Sequence, residues 1–342
     1  MLIKMTEYIH VLAGKPVKIG SDYVPHHQFG STGLSLIEKT LATARSTGLP
    51  VMSTVWERER VTTNHEQNDV YLLEARGKLL DNFLYGLIEG ILPLADLPPF
   101  RGNWGRSRDL KKYVQENPAA TELAVLYVSA DVPFLQPRDF STALEEYARL
   151  GRPDVLAMMT KLDQVEEIDK NLYLQLSSLD TTLNNCNYTD DGRVRISNMY
   201  VIKPFRIITS GLAGSLQKIY EHRKISEGIT SWLGAMSGLI KFFFSGIKNL
   251  AQIDVKDLYK FTATSWLLAQ QIRGRKSDQI VDLSEVERLI SSVSGLEVRI
   301  SAEGGLSVLD VDDEDSLRLF QSRYNEISAY LETSQRQDLV TS

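Results

Sequence analysis

Three pieces decide the fold: Tyr8-Ile9-His10-Val11-Leu12-Ala13-Gly14, an apolar pattern at helical spacing from Leu34 to Ser46, and Pro50-Val51-Met52-Ser53-Thr54-Val55. The first run is apolar and partly β-branched and closes on small residues, which reads as a buried strand followed by a polar loop. Gly48 and Pro50 stop the helix, and the third piece reads as a second buried strand. Strand, helix and strand make one βαβ unit, whose two strands lie parallel through a right-handed crossover. The expected fold is α/β, with a doubly wound, mostly parallel sheet.

Outward from this unit the alternation continues. Leu79 to Ile91 carries apolar positions at helical spacing, and a Pro/Gly/Arg-rich loop spans Pro93 to Arg108. Glu122-Leu123-Ala124-Val125-Leu126-Tyr127-Val128 reads as another buried strand, ending at Ser129-Ala130-Asp131. A helix from Pro137 to Leu150, a strand from Val155 to Met159 and a strand from Arg195 to Lys203 follow. From Phe205 to Val293 the pattern is helical with glycine breaks. Gly305 to Asp312 returns to the period of a strand, and Glu314 to Glu332 reads as a last helix. The expected organisation is an α/β core over residues 1–204, a helical insertion over 205–293, and a final strand and helix over 294–342 that complete the core.

Composition narrows the function. The chain has 342 residues, more than one compact domain usually holds, with 43% apolar and 24% charged residues, as in ordinary globular proteins. A net charge of -6 argues against general nucleic-acid binding, because a polyanion needs Lys and Arg to displace its counterions. One cysteine, Cys186, allows no intrachain disulfide, and His10, His26, His27, His65 and His222 show no zinc-ligand spacing. A reducing, cytoplasmic setting is expected, since the first residues lack the apolar core of a secretory signal. The most apolar stretch, Ile229 to Ile247, is broken by Ser, Gly and Lys241 and falls short of the roughly 20 apolar residues of a bilayer span. It fits a buried lobe or a homodimer contact better than a membrane surface. No Ser-His-Asp or Cys-His arrangement and no dinucleotide fingerprint is present, which disfavours covalent and hydride chemistry.

Asp131 follows an apolar strand directly and precedes Val132-Pro133-Phe134-Leu135, which places it at the carboxyl end of a central strand, where open α/β sheets bind ligands. A carboxylate there is a hard oxygen ligand suited to Mg²⁺. Capping of the Pro133 turn is the plainer role for the same residue. Asp310 and Asp312 alternate at the end of the late strand and point the same way, as a second metal carboxylate would need to. With Asp313, Glu314 and Asp315 they equally suit an acidic helix start.

Taken together, these segments resemble the MobA-like nucleotidyltransferases, a GT-A-type family that joins a nucleoside monophosphate unit to an acceptor and releases pyrophosphate. Ser129-Ala130-Asp131-Val132-Pro133-Phe134-Leu135 is similar to the family's strand-end aspartate and proline turn. Leu309-Asp310-Val311-Asp312-Asp313-Glu314-Asp315-Ser316-Leu317 is similar to its late metal-binding segment. The resemblance implies Mg²⁺ held by Asp131 and Asp312. It also implies Asn198, in the segment Asp191 to Ile202, on the acceptor side, and Asn82 near the base or ribose. Arg223 and Lys224 suit a phosphorylated acceptor, Arg by bidentate grip and Lys as a point charge.

The family's glycine-rich loop has the form Leu-x-Ala-Gly-Gly-x-Gly-x-Arg. Here the chain reads Leu12-Ala13-Gly14-Lys15-Pro16-Val17-Lys18-Ile19-Gly20, which keeps the Leu-Ala-Gly opening, lacks the arginine, and loses one N–H donor at Pro16. Lys15 or Lys18 would supply the missing positive charge. The loop Phe100 to Arg108, with Lys111 and Lys112, mixes cations and aromatics as a segment closing over an anion does, and as a solvated loop also does. The resemblance therefore implies a Mg²⁺-dependent nucleotidyltransferase acting on a nucleoside triphosphate and a small phosphorylated acceptor. Two alternatives stay open: a GT-A-type glycosyltransferase using a nucleotide sugar through Asp310-Val311-Asp312, and a noncatalytic nucleotide-binding protein.

Overall fold

The computed structural model describes residues 7–12, 18–29, 33–61, 70–76, 79–103, 106–168, 170, 187–210, 255–272, 280–311 and 313–341. Ala13, Gly14, Lys15, Arg223, Lys224, Asp312 and the apolar stretch 229–247, all singled out in the sequence, lie outside the described residues.

The opening unit folds as its sequence predicts. Strand β1 (Glu7–Leu12) is buried along its middle, and β4 (Val51–Val55) is buried at every position. Helix α1 (Leu36–Arg45) joins them, after a small hairpin of β2 (Lys18–Ile19) and β3 (Asp22–Tyr23). Ser35 and Glu38 start α1 with a reciprocal capping box, the Ser35 N–H donating to the Glu38 carboxylate at 2.8 Å. Its Leu36, Ile37, Leu41 and Ala44 face inward, and burying each Leu or Ile contributes about 1.5–3 kcal/mol.

One eight-stranded sheet forms the centre, in the order β10-β7-β9-β6-β1-β4-β5, with β8 paired on β9. The remaining strands are β5 (Val70–Glu74), β6 (Ala124–Ser129), β7 (Val155–Lys161), β8 (Asn187–Thr189), β9 (Gly192–Ile202) and β10 (Val298–Ser301). Strands β4, β5, β6, β7 and β10 pair in parallel along the sheet, whereas β9 is inserted antiparallel between β6 and β7. The α/β class and the mostly parallel, doubly wound sheet expected from the sequence are thus the observed ones.

Alternate residues of the central strands face opposite layers. Ile9, Val11, Leu126 and Val128 pack with α1 and with Phe140, Ala143 and Tyr147 of α5 (Pro137–Arg149). On the other face, Tyr8, Met52, Val125 and Tyr127 meet α2 (Leu79–Gly86), its continuation through a π-helical turn (Leu87–Ile91) into α3 (Leu92–Leu94), and α4 (Ser107–Glu116). Helix α6 (Leu162–Ile168) follows β7, and α7 (Pro204–Ser210) follows β9. Helices α8 (Val255–Ile272) and α9 (Leu283–Ser294) contribute Phe261 and Leu289 to a cluster with Ile207 and Val298 beside β10. The long α10 (Glu314–Thr341) closes a further cluster, in which Phe134 meets Phe29, Phe320 and Tyr324 at ring distances of 5.4 to 6.0 Å. Among the described residues no helix is long and apolar enough to cross a membrane.

One expected element is different. The stretch Gly305 to Val311 is not a strand; the late strand is β10, Val298–Ser301, several residues earlier. Gly304 donates its N–H to the Met159 carbonyl at 2.7 Å, and Ser307 donates back to Gly304 at 3.2 Å, which closes a turn. Leu306, Val308 and Leu309 are all buried in the α10 cluster, so an alternating pattern is satisfied by packing under a helix without strand pairing. Asp310 therefore does not sit on a strand face.

Candidate functional site

The order of strands fixes where a site can form. From β1 the chain crosses by α1 to β4 on one side, and later returns to β6 on the other side of β1. The carboxyl ends of β1 and β6 therefore flank the point where the winding reverses, and open α/β sheets bind ligands in such a crevice. Leu12 ends β1 opposite Ser129, and its carbonyl accepts the Ala130 N–H at 3.0 Å.

Asp131 stands one residue beyond and is half-exposed. The Ser129 hydroxyl donates to its carboxylate, which holds the acid in place. A chain segment from far downstream reaches the same spot, the Val311 N–H donating to the Asp131 carbonyl at 3.0 Å. That segment starts at β10, turns at 304–308 and crosses the carboxyl ends of β7 and β6 as a strap, meeting the antiparallel β9 at Asn198. It carries Asp310, which is partly exposed, to the rim.

Asn198 clips this strap down. Its backbone N–H and its side-chain amide both donate to the Ser307 carbonyl, at 3.1 and 3.0 Å. Beside it, Asp139 at the start of α5 accepts the Gln136 N–H at 2.8 Å and packs so closely on the turn that a Cβ at Gly305 would stand 2.5 Å from its Oδ1. Gly305 holds a φ of +55°, open to glycine at little cost. Burial pushes the Asp139 carboxyl up to about 6. Asn82, in α2, is fully buried and its Oδ1 accepts the Arg76 N–H just past β5.

On the β4 side of the crevice, Lys18 is exposed with its Nζ 4.5 Å from the centre of the Tyr23 ring. Tyr23 stacks on Trp56, just past the end of β4, at 5.9 Å and 28°. Beneath the crevice His10 is fully buried in β1, its Nε2 3.3 Å from the Thr54 hydroxyl and its ring 5.1 Å from Tyr127, which lies directly opposite on β6. Among the described residues His10 Nδ1 and the Tyr127 hydroxyl have no hydrogen-bond partner, and desolvation drives the His10 pKa down to about 3.

The structure thus brings Leu12, Asp131, Asn198 and the strap with Asp310 together at the switch point, and places Lys18 at the neighbouring strand end. Sequence reading passed over Trp56, Tyr23 and Asp139. A signal existed for Trp56, because an aromatic residue directly after a buried parallel strand falls at the ligand-binding edge. Nothing local marks Asp139, whose burial depends on a turn more than a hundred residues away. Among the described residues no group of three or more His, Cys, Asp or Glu forms a ready metal cage.

No protein-family model matches the chain, and no curated protein matches it. Solved structures do. A hypothetical transferase from Thermus thermophilus aligns over 92% of this chain and 100% of its own, with 14% identity and a TM-score of 0.48. The 4-diphosphocytidyl-2C-methyl-D-erythritol synthase of Anaerococcus prevotii aligns over 94% of this chain and 98% of its own, at 10% identity and a TM-score of 0.39. For the 2-C-methyl-D-erythritol 4-phosphate cytidylyltransferase of Thermus thermophilus the shares are 93% and 98%, at 12% identity and a TM-score of 0.38. Scores this low assign no activity to the chain.

Proposed function

We propose that this chain is a nucleotidyltransferase that transfers a nucleoside monophosphate unit from a nucleoside triphosphate to a small phosphorylated acceptor. The observation that carries the reading is the Val311 to Asp131 hydrogen bond, which brings a late acidic segment to the strand-end aspartate at the switch point of the sheet. A triphosphate laid across these strand ends runs from Lys18 toward Asp131. An acceptor phosphate oxygen attacks the α-phosphorus in line, the bond from that phosphorus to the bridging oxygen breaks, and pyrophosphate leaves with the electron pair. No covalent enzyme intermediate is needed, so the protein's work is positioning and charge stabilisation.

Mg²⁺ suits the donors on offer. Asp131 with Asp312 supplies hard carboxylate oxygens, and a Mg²⁺ site normally uses one or two carboxylates and takes its other ligands from phosphate and water. Bound there, the ion supplies charge neutralisation on the triphosphate. Ser129 keeps the Asp131 carboxylate aimed, Lys18 and Lys15 offer cations to the triphosphate, and Arg223 and Lys224 serve the acceptor. Asn198 contributes by holding the strap. The glycosyltransferase alternative is weaker here, because Ser129 stands where a middle-strand acidic pair would need its first carboxylate.

The test is pyrophosphate release from each nucleoside triphosphate with Mg²⁺ across a panel of phosphorylated acceptors. Asp131→Asn is expected to lower turnover by on the order of a hundredfold or more while circular dichroism stays unchanged. A variant with the wild-type rate would remove Asp131 from the chemistry. Nucleotide binding without turnover on any acceptor is the result expected of a noncatalytic binding protein.

A further inference from the structure

We infer that Trp56 and Tyr23 form a stacking platform for the nucleobase, and that the nucleotide lies with its base over the end of β4 and its phosphates toward Lys18 and Asp131. This deepens the nucleotide reading proposed above and rests on it.

Position comes first. Thr54 pairs with Leu12, and Leu12 pairs with Ser129, so the ends of β4 and β6 stand two strand spacings apart, about 10 Å. Trp56 and Asp131 each lie two residues past those paired positions. An extended nucleotide bridges a gap of that size, with its base at one end and its phosphates at the other. The two aromatic rings are only half-buried and stack on each other, and the backbone that carries them is held in place.

The fixing is done by several independent contacts. The His26 ring bonds the Trp56 carbonyl, and the His27 ring lies 3.1 Å from the Ile19 carbonyl in the hairpin that carries Tyr23. Just past Trp56 the chain turns through Glu57 at a φ of +52°, a left-handed conformation that a non-glycine residue adopts only when its surroundings impose it. The Glu74 carboxylate imposes it, accepting the N–H groups of Glu57 at 3.1 Å and Arg58 at 2.9 Å. Arg60 then ties the turn to the hairpin, bonding Glu57 at 2.7 Å and Asp22 at 2.9 Å. A strained turn, a hairpin and an ion-pair bridge therefore all serve to hold the segments that carry the two stacked rings at the rim of the crevice.

Charge agrees with this placement. Lys18 has no carboxylate partner among the described residues, while Arg60, close by, is fully engaged in the bridge. An ammonium beside an aromatic platform suits a ligand that is flat at one end and anionic at the other. Stacking is tolerant of base identity, so the platform by itself predicts affinity for nucleotides with only modest preference among bases.

Tryptophan fluorescence and calorimetry on the full chain test this, using nucleoside triphosphates and inorganic tripolyphosphate as probes, each with Mg²⁺. Nucleotides should quench the wild-type emission and bind more tightly than tripolyphosphate. Trp56→Phe should keep the nucleotide affinity and lose most of the quench. Trp56→Ala should weaken nucleotide binding about 5- to 150-fold, the loss of one base stack, and leave tripolyphosphate binding unchanged. Should Trp56→Ala fail to fold, the quench in Trp56→Phe still decides the matter. A full quench in Trp56→Phe, or wild-type nucleotide affinity in a folded Trp56→Ala, overturns the platform and leaves the nucleotide reading standing. Wild-type protein that binds no nucleotide overturns both.

Discussion

His10, fully buried, and Asp139, half-buried, are both ionisable and are pulled in opposite directions by desolvation. His10 stays neutral in the fold down to about pH 3, against an ordinary value of 6.5, so the folded state loses stability as pH falls below 6.5 and the unfolded chain takes up the proton. Asp139 is raised from 3.8 to about 6, so its favourable contribution is complete below 3.8 and is lost as pH rises through 6. Between about pH 4 and 6 the two slopes oppose each other. Asp139→Asn, which still accepts the Gln136 N–H through its amide oxygen, should therefore make the acid loss of stability steeper and should gain relative to wild type at pH 8. The full Asp139 shift corresponds to about 3 kcal/mol. Urea unfolding at pH 5 and pH 8 reads both effects, and parallel pH profiles for the two proteins would show that Asp139 is not desolvated. Neither role was legible in the sequence, where His10 is one letter in a strand and Asp139 one acid in the first turn of a helix. Their burial is set by the layers above them.

The element that meets His10 is the helix running from α2 into the π-helical turn. Gly86 sits where that helix crosses β1, and a Cβ there would come within 2.3 Å of His10 Cε1 and 2.6 Å of Met52 Cε. The close approach of helix and sheet depends on the missing side chain. Gly86→Ala is expected to destabilise the protein by about 1–3 kcal/mol through overpacking, despite the better helix propensity of alanine. An unchanged urea midpoint would mean that His10 and Met52 can move aside. Helix α2 was readable from its spacing, as were β1, α1, β4, β6 and α5. The edge strand β5 and the strap were not. Strand β5 is buried on neither face along most of its length, so its pattern is weak. The strap has the alternation of a strand but is held by Asn198, Met159 and α10, partners that no local window contains.

At the scale of the whole molecule, a ligand that binds only the folded chain raises its melting point. A nucleoside triphosphate with Mg²⁺ at a hundred times its Kd should add about 2.7 kcal/mol of stability, a shift of several degrees in Tm, and Asp131→Asn should reduce that shift. A flat thermal response to every nucleotide would count against the proposed function as a whole. The sequence alone determined the α/β class, the opening βαβ unit and the position of Asp131 at a strand end, because hydrophobic period and Gly/Pro stops act over a few residues and survive without knowledge of the rest. Tertiary structure alone decided three further things: the antiparallel insertion of β9, the passage of the late segment to the Asp131 carbonyl, and the pairing of Tyr23 with Trp56. Each joins residues far apart in the chain through backbone hydrogen bonds or ring contacts. Such pairings depend on the order in which strands settle beside one another, which local patterning does not encode.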